Sequence, residues 1–136
     1  MDVLEFARRA ISVPFIERGR SWDGWDCWGL VVVAYHEMFG LELPDYLDRY
    51  ETTFRKRDLF RLSRTCRRER EMGWHEAAEP APGDVALIMR RGVPIHIGMV
   101  MRPDRILHAE NGVGTVHEPL SAFRIEGFYR HAHVHI

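Results

Sequence analysis

The sequence predicts an α+β domain in which helices come first and an antiparallel β-sheet follows. Apolar residues recur at helical spacing in the first third of the chain. From Pro82-Gly83-Asp84 onward the pattern changes to short runs that are rich in β-branched residues and separated by turn signals. Helices and strands that segregate along a chain are typical of α+β folds. The length of 136 residues suits one hydrophobic core, so residues 1–136 are predicted to form a single domain.

The helical part begins with a short helix that starts at Val3 and ends near Ser12. Glycines between residues 19 and 24 then predict a loop. A second helix is expected to begin at or beside Cys27, because an apolar run starts there and stops at Gly40, which is a suitable C-terminal cap. An arginine-rich stretch over residues 55–72 is a third helical candidate.

Five strands are predicted in the second half, as an antiparallel meander. They cover Val85–Met89, Ile95–Met101, Ile106–Ala109, Val113–His117 and Phe128–His135.

Composition and charge exclude several classes of protein. The formal net charge of −1 gives no general attraction to nucleic acid or anionic lipid. No apolar run approaches the roughly 20 residues that span a bilayer, so no membrane insertion is expected. The start of the chain lacks the pattern of a signal peptide, which predicts synthesis in the cytoplasm. Cys27 and Cys66 are the two cysteines, too few for a disulfide framework.

Cys27 is the candidate nucleophile. At a helix N-terminus, unpaired backbone N–H groups and the helix dipole favour a negative charge, and the thiolate is the reactive form of cysteine. His96 lies on a predicted strand whose other face carries Ile95, Ile97, Met99 and Met101, and Gly98 beside it lets another group approach. His108 lies on the next strand. A thiol with two histidines on adjoining strands has the composition of an activated nucleophile, with one imidazole as base and a further polar group to orient it.

Four short motifs then carry a resemblance. The sequence Asp26-Cys27-Trp28-Gly29-Leu30 resembles the Asp-Cys-Ser-Gly-Leu signature of NlpC-type cell-wall peptidases, a papain-like family. Pro82-Gly83-Asp84-Val85 is similar to the family's Pro-Gly-Asp, His96-Ile97-Gly98-Met99-Val100 to its His-Val-Gly-Ile-Tyr, and Leu107-His108-Ala109 to its Ile-His-Ala. The motifs occur in the family's order and span residues 15 to 130. Leu41–Tyr46 and Gly127–Arg130 look most like the branch encoded among phage tail and gene-transfer-agent genes.

The resemblance implies a papain-like fold and a cysteine endopeptidase that cleaves peptidoglycan stem peptides, commonly between D-glutamate and diaminopimelate, without metal or organic cofactor. It implies Cys27, His96 and His108 as the catalytic set. Asn111 and Glu110 stay open for the third position, because a two-residue hairpin loop around Pro103-Asp104 would pair Met99 with His108 and place His96 opposite Asn111. A three-residue loop would pair Val100 with His108. A bulge in the hairpin could bring the two histidines together.

The expected substrate contacts are Asp26, Trp28, Phe15 and Trp25. In recycling enzymes of the family a tyrosine, a serine and the aspartate hold the free amino end of L-alanine. Phe15 and Trp28 replace the first two here, so we expect a substrate still attached to the glycan strand. Trp22, Trp25 and Trp28 are either core residues or a stacking surface for sugars and peptide stems.

A protein without a signal peptide needs a carrier to reach the cell wall, so we expect it in a phage-like tail tip, bound to tail proteins, where the arginine-rich segment 55–70 is the candidate contact. The alternatives are a non-catalytic structural module of such a tail, or a secreted antibacterial papain-like amidase. His131, His133 and His135 alternate on one strand, but no cysteine or carboxylate completes a metal site.

Overall fold

The computed structural model describes residues 1–48 and 73–132, and it places two helices against one face of an antiparallel sheet. Helices followed by an antiparallel sheet are the predicted α+β arrangement. The predicted helix at 55–72, Cys66, and the predicted last-strand residues His133 and His135 lie outside the described residues. Within the described ranges, no helix is long and apolar enough to cross a membrane.

Both helices have the caps that their sequences indicate. Helix α1 (Val3–Ala10) begins after Asp2, whose side chain accepts a hydrogen bond from the backbone of Glu5 at 2.7 Å. Helix α2 (Cys27–Phe39) ends at Gly40, which has a left-handed φ of 64° that glycine adopts without a steric cost. The predicted start and end of this helix are therefore confirmed.

Eight strands are present in the described ranges, and five of them correspond to the predicted ones with small changes in length. Residues 20–25 form a two-stranded hairpin where a loop was predicted, and β3 was not predicted at all. The strands are β1 (Arg20–Ser21), β2 (Gly24–Trp25), β3 (Trp74–Ala77), β4 (Val85–Arg90), β5 (Val93–Arg102), β6 (Arg105–Glu110), β7 (Gly114–Pro119) and β8 (Ile125–His131).

The six-stranded sheet has the order β3-β8-β4-β5-β6-β7, and its strand pairs are antiparallel. Strands β4 to β7 form the predicted meander, but β8 crosses back to pair with β4, so a simple meander is wrong for the last strand. A short 3₁₀ turn at Leu120–Ala122 begins this return, and the backbone N–H of Leu120 donates to Asp104 at 2.9 Å. The crossing buries apolar residues that would otherwise face water. Leu120, Phe123, Ile125 and Phe128 pack there against Ala86, Ile88 and Ile106.

The two faces of the sheet have different neighbours. The larger core lies between the helices and one face, to which β5 contributes Ile97 and Met99 and β6 contributes Leu107. His96 and Gly98 alternate with these residues on β5 and therefore face the other way. Helix α2 packs against β5 and β6, which carry the two candidate histidines.

Candidate active site

Cys27 is the first residue of α2 and is 4% exposed. The preceding residue, Asp26, is the N-cap, and its carboxylate accepts a hydrogen bond from the backbone N–H of Gly29 at 2.9 Å. No acidic residue occupies the first turn of α2. The positive end of the helix dipole therefore acts on the thiol without a carboxylate inside that turn to oppose it, which favours the thiolate.

Asp26 has no exposed surface, and its carboxylate is occupied by donors of the same chain. Besides Gly29, it accepts from the backbone N–H of Arg18 at 3.0 Å and from Nη1 of Arg20 at 2.8 Å. This occupation disagrees with the predicted contact between Asp26 and substrate. A buried carboxylate with several donors holds a helix start and a loop in place, and here that start carries Cys27.

The tryptophans nearest Cys27 in the sequence are core residues. Trp25 has no exposed surface, and its indole N–H donates to Oγ1 of Thr115 at 2.7 Å. Trp28 is 5% exposed, donates to the backbone oxygen of Pro44 at 2.8 Å, and packs on Tyr46 at a ring distance of 5.3 Å. Trp25 therefore has no exposed surface for the predicted substrate contact, and Trp28 has little. Phe15 is partly buried against the same core, and its contact with substrate stays a prediction.

His96 and His108 face each other across β5 and β6. Nε2 of His96 lies 3.0 Å from Nδ1 of His108, and the rings are perpendicular, with an interplanar angle of 89°. Both side chains are buried, at 9% and 2% exposure. Among the three residues left open by the sequence, His108 is thus the one hydrogen-bonded to His96. Asn111 is exposed in the turn after β6, and Glu110 binds elsewhere.

A bulge in β5 produces this pairing. The hairpin closes with Arg102 opposite Arg105, which is the two-residue loop considered from the sequence. The register then shifts between Val100 and Arg102, so that His108 pairs with Gly98 and neither Met99 nor Val100 is its partner. His108 consequently lies on the same face of the sheet as His96 and diagonal to it, within reach of a side-chain contact.

Glu118 on β7 extends the histidine pair. Its Oε2 lies 2.7 Å from Nε2 of His108, and Phe123 packs edge-on against the same ring at 5.0 Å. Glu118 was not predicted as a site residue because the predicted strand stopped at His117. A signal was present: a three-residue turn containing Gly112 pairs Glu110 with Gly114, and this register puts Glu118 opposite Ile106, on the face of His108.

Arg90 supplies the positive charge of the site. Its guanidinium makes two hydrogen bonds to the carboxylate of Glu110, at 3.0 and 2.7 Å, and these keep the pKa of Glu110 below its usual value. The hydrogen bond to Glu110 is the main cause that raises the pKa of Arg90, with smaller contributions from the charge of Glu110 and from Cys27. Arg90 also acts on His96. Burial first, then Arg90 and then His108 lower the pKa of His96 to about 3.

The same residues offer a group of possible metal ligands. One ligand atom each from His96, His108 and Glu110 lies within 4.8 Å of the others. Glu110 already binds Arg90 through both oxygens, and the facing ring nitrogens of the histidines bind each other. A cation would have to displace these contacts beside a guanidinium, so the arrangement favours proton transfer over metal binding. Of the alternating histidines near the C-terminus, His131 packs edge-on against Trp74 at 5.0 Å.

A cysteine at the start of a buried helix, with a histidine pair on the sheet packed against that helix, defines a papain-like α+β domain. The model of the NlpC/P60 family matches residues 12–132, and the chain belongs to this family. Two solved structures have the same fold. The NlpC/p60 domain of the peptidoglycan hydrolase SagA superposes with a TM-score of 0.64 at 16% identity, covering 93% of both chains. A protein of the NLP/P60 family from Staphylococcus aureus, described as similar to a lipoprotein, superposes with a TM-score of 0.61 at 18% identity. That match covers 94% of this chain but 39% of the S. aureus chain. No curated protein matches the sequence significantly.

Proposed function

We propose that this chain is a cysteine peptidase that hydrolyses the stem peptides of peptidoglycan. The observation that carries the proposal is the combination of Cys27 at the N-terminus of α2 with the hydrogen-bonded pair His96 and His108 on the adjoining strands. Membership of the NlpC/P60 family and the likeness to the domain of a peptidoglycan hydrolase support the substrate class.

The mechanism follows from the chemistry of these groups. His96 is neutral near pH 7 because its pKa is lowered, so the ring nitrogen that does not face His108 can accept the thiol proton of Cys27. The thiolate attacks the scissile carbonyl carbon, and the backbone N–H of Cys27 stabilises the oxyanion. The His96 imidazolium then gives its proton to the leaving amine. Water activated by the same imidazole finally hydrolyses the thioester and restores the thiol.

The preferred substrate in this proposal is a peptide still attached to the glycan strand, cut between D-glutamate and diaminopimelate. The position of the cut follows from the family resemblance. Endopeptidase action is supported by Asp26, whose carboxylate is wholly engaged by Gly29, Arg18 and Arg20. An acceptor with no exposed surface is unsuited to a free substrate amine. Digestion of intact and amidase-treated peptidoglycan, followed by mass analysis of the fragments, identifies the bond that is cut. The comparison also shows whether the enzyme prefers a stem peptide attached to glycan or one with a free amino end.

The test of catalysis is release of new amino groups from purified peptidoglycan. We expect Cys27→Ala to abolish release while its circular dichroism stays that of the wild type, because the change removes only a sulfur atom. Cys66→Ala is the matched control and is expected to keep wild-type activity. Hydrolysis by Cys27→Ala at the wild-type rate would show that the thiol is not the nucleophile.

Thiol reactivity separates an enzyme from a non-catalytic structural module. A thiol activated at a helix N-terminus beside a histidine should react with iodoacetamide at pH 6 faster than an ordinary cysteine. We expect single-cysteine variants to show faster labelling of Cys27 than of Cys66. Equal rates would favour the structural module.

The proposal also includes delivery of the enzyme by a phage-like particle, with action at the cell wall during entry. It is supported by the likeness of Leu41–Tyr46 and Gly127–Arg130 to the branch encoded with tail genes. Mass spectrometry of purified particles should detect the chain together with tail proteins. Its absence from particles, with an immunity gene beside its own, would point to a secreted antibacterial amidase.

A further inference from the structure

Three side chains on β5, β6 and β7 form a hydrogen-bonded series. Nε2 of His96 faces Nδ1 of His108 at 3.0 Å, and Nε2 of His108 faces Oε2 of Glu118 at 2.7 Å. His108 is 2% exposed and lies between the other two. The Glu118 side chain is 43% exposed, so the series runs from a buried imidazole to a carboxylate in partial contact with water.

The proton positions in this series follow from the carboxylate. An ionised carboxylate accepts hydrogen bonds and does not donate them, so Nε2 of His108 must carry the proton that faces Glu118. In a neutral ring, Nδ1 of His108 is then an acceptor, and the proton shared with His96 belongs to Nε2 of His96. This leaves Nδ1 of His96 with a lone pair, which is the form that can take a proton from a thiol.

We propose that Glu118 is a positioning residue of the active site, whose carboxylate sets the tautomer of His108 and, through it, the tautomer of His96. The inference rests on the proposed function insofar as the tautomer serves catalysis by Cys27. The predicted positions of the ring protons of His96 and His108 do not depend on any substrate.

Glu118 also supplies a negative charge when His96 becomes positive. Proton transfer from Cys27 to His96 creates an imidazolium in a buried place where Arg90 already contributes a positive charge. The other nearby carboxylate, on Glu110, binds Arg90 through both oxygens and lies 3.7 Å from Nδ1 of His108, beyond hydrogen-bonding distance. Glu118 is therefore the carboxylate placed to stabilise the developing charge through a hydrogen bond to His108.

Removal of the carboxylate should free both rings to change tautomer. With no acceptor at position 118, His108 can carry its proton on Nδ1 instead and donate it to Nε2 of His96. His96 must then hold its own proton on Nδ1, where it blocks transfer from the thiol of Cys27. We expect a loss of about 10- to 100-fold in kcat, by analogy with the range seen when a group that orients a metal-ligating histidine is removed.

The experiment compares Glu118→Ala and Glu118→Gln with the wild type. Glu76→Gln is the matched control, since Glu76 is an exposed carboxylate on β3, at the opposite edge of the same sheet. We expect Glu118→Ala to lower kcat on soluble peptidoglycan fragments by about 10- to 100-fold with KM changed less than 2-fold. Glu118→Gln keeps an oxygen acceptor, so we expect it to restore part of this loss.

Nitrogen-15 NMR of the imidazole rings locates the protons directly. We expect Nε2-protonated His108 and His96 in the wild type and in Glu76→Gln, and a mixture of tautomers in Glu118→Ala. Alkylation of Cys27 by iodoacetamide should slow in Glu118→Ala by a similar factor to kcat. Unchanged tautomers and unchanged alkylation in Glu118→Ala would overturn the inference, even if activity fell together with thermal stability.

The two proposals fail in different ways. If the wild type does not hydrolyse peptidoglycan, the proposed function is wrong, but the ring tautomers and the alkylation rate of Cys27 still decide the role of Glu118. If the wild type is active and Glu118→Ala keeps its full kcat, the positioning role is wrong and the thiol mechanism stands.

Discussion

Replacement of Asp26 by alanine should destabilise the fold far more than a surface substitution would. The change removes the N-cap of α2, which costs about 1 kcal/mol in typical helices. It also leaves the partly buried guanidinium of Arg20, whose side chain is 14% exposed, with the backbone oxygens of Gly19 and Asp45 but without its carboxylate, a loss at the lower end of the about 3–5 kcal/mol typical of a broken buried ion pair. The two effects share one carboxylate and do not simply add, so we expect a loss of about 4 kcal/mol. Domains of this size unfold with about 5–15 kcal/mol, so the loss is a large share of the total.

The assay is urea unfolding followed by circular dichroism, with thermal unfolding as a second measurement. For Asp26→Ala we expect a midpoint roughly 15 °C below that of the wild type. Asp26→Asn keeps an oxygen that can accept from Gly29 but loses the charge that faces Arg20, so its stability should fall between the two. If Asp26→Ala instead loses less than about 1 kcal/mol and raises KM alone, Asp26 contacts substrate, as the family resemblance implies, and its structural role is minor.

Two further predictions concern buried charge. Arg130→Ala should lower the free energy of unfolding by about 3 kcal/mol, because Asp84 has no exposed surface and loses ion-pair contacts of 2.7 and 2.8 Å. Urea unfolding measures this loss, with Arg124→Ala as the control at an exposed arginine. Equal losses in both variants would contradict the prediction. The second prediction is a dependence of stability on pH. Burial, Arg90 and His108 lower the pKa of His96 in the folded state. The contribution of His96 to folding stability is therefore complete above its pKa in the unfolded chain, near 6.5, and falls as pH decreases below that value, by up to about 1.4 kcal/mol per pH unit. Between pH 7 and pH 5 the unfolding free energy of His96→Gln should change less steeply than that of the wild type, and parallel slopes would refute the assignment.

Features set by neighbouring residues could be predicted from the sequence. The second helix was predicted correctly because one apolar run begins beside Cys27 and stops at Gly40, which caps it. Strands β4 to β7 were predicted within a few residues because alternation and turn residues are local signals. Strand β3 was missed because it forms by pairing with β8, more than fifty residues along the chain, and its sequence Trp74-His75-Glu76-Ala77 has little strand preference.

The side-chain environments of the site depend on contacts that no local pattern reveals. Asp26 was expected at the substrate, and its carboxylate instead accepts from Arg18 and Arg20 in the loop before the helix. The family motif fixes the residue type but not its partners, and the arginines lie outside that motif. Trp25 was equally ambiguous between core and binding surface until its bond to Thr115 showed it to be wholly internal.

The histidine pair depends on a single extra residue in β5. Without the bulge, the two-residue loop between Arg102 and Arg105 would have paired His108 with Met99, a residue of the helix-facing core. Directly opposed residues share a face of the sheet, so His108 would then have pointed away from His96. The shift of one position pairs His108 with Gly98 instead and brings both rings to one face.

Gly98 makes that close approach possible. A Cβ atom built there would lie 2.7 Å from Cδ1 of Ile106 and 3.1 Å from the backbone oxygen of Leu107, so β6 occupies the space that a side chain would need. Gly98, two residues after His96, therefore has a geometric role in this chain, which is to admit the strand that carries His108. The bulge sets the register and the glycine sets the distance, and the 3.0 Å contact between His96 and His108 requires both.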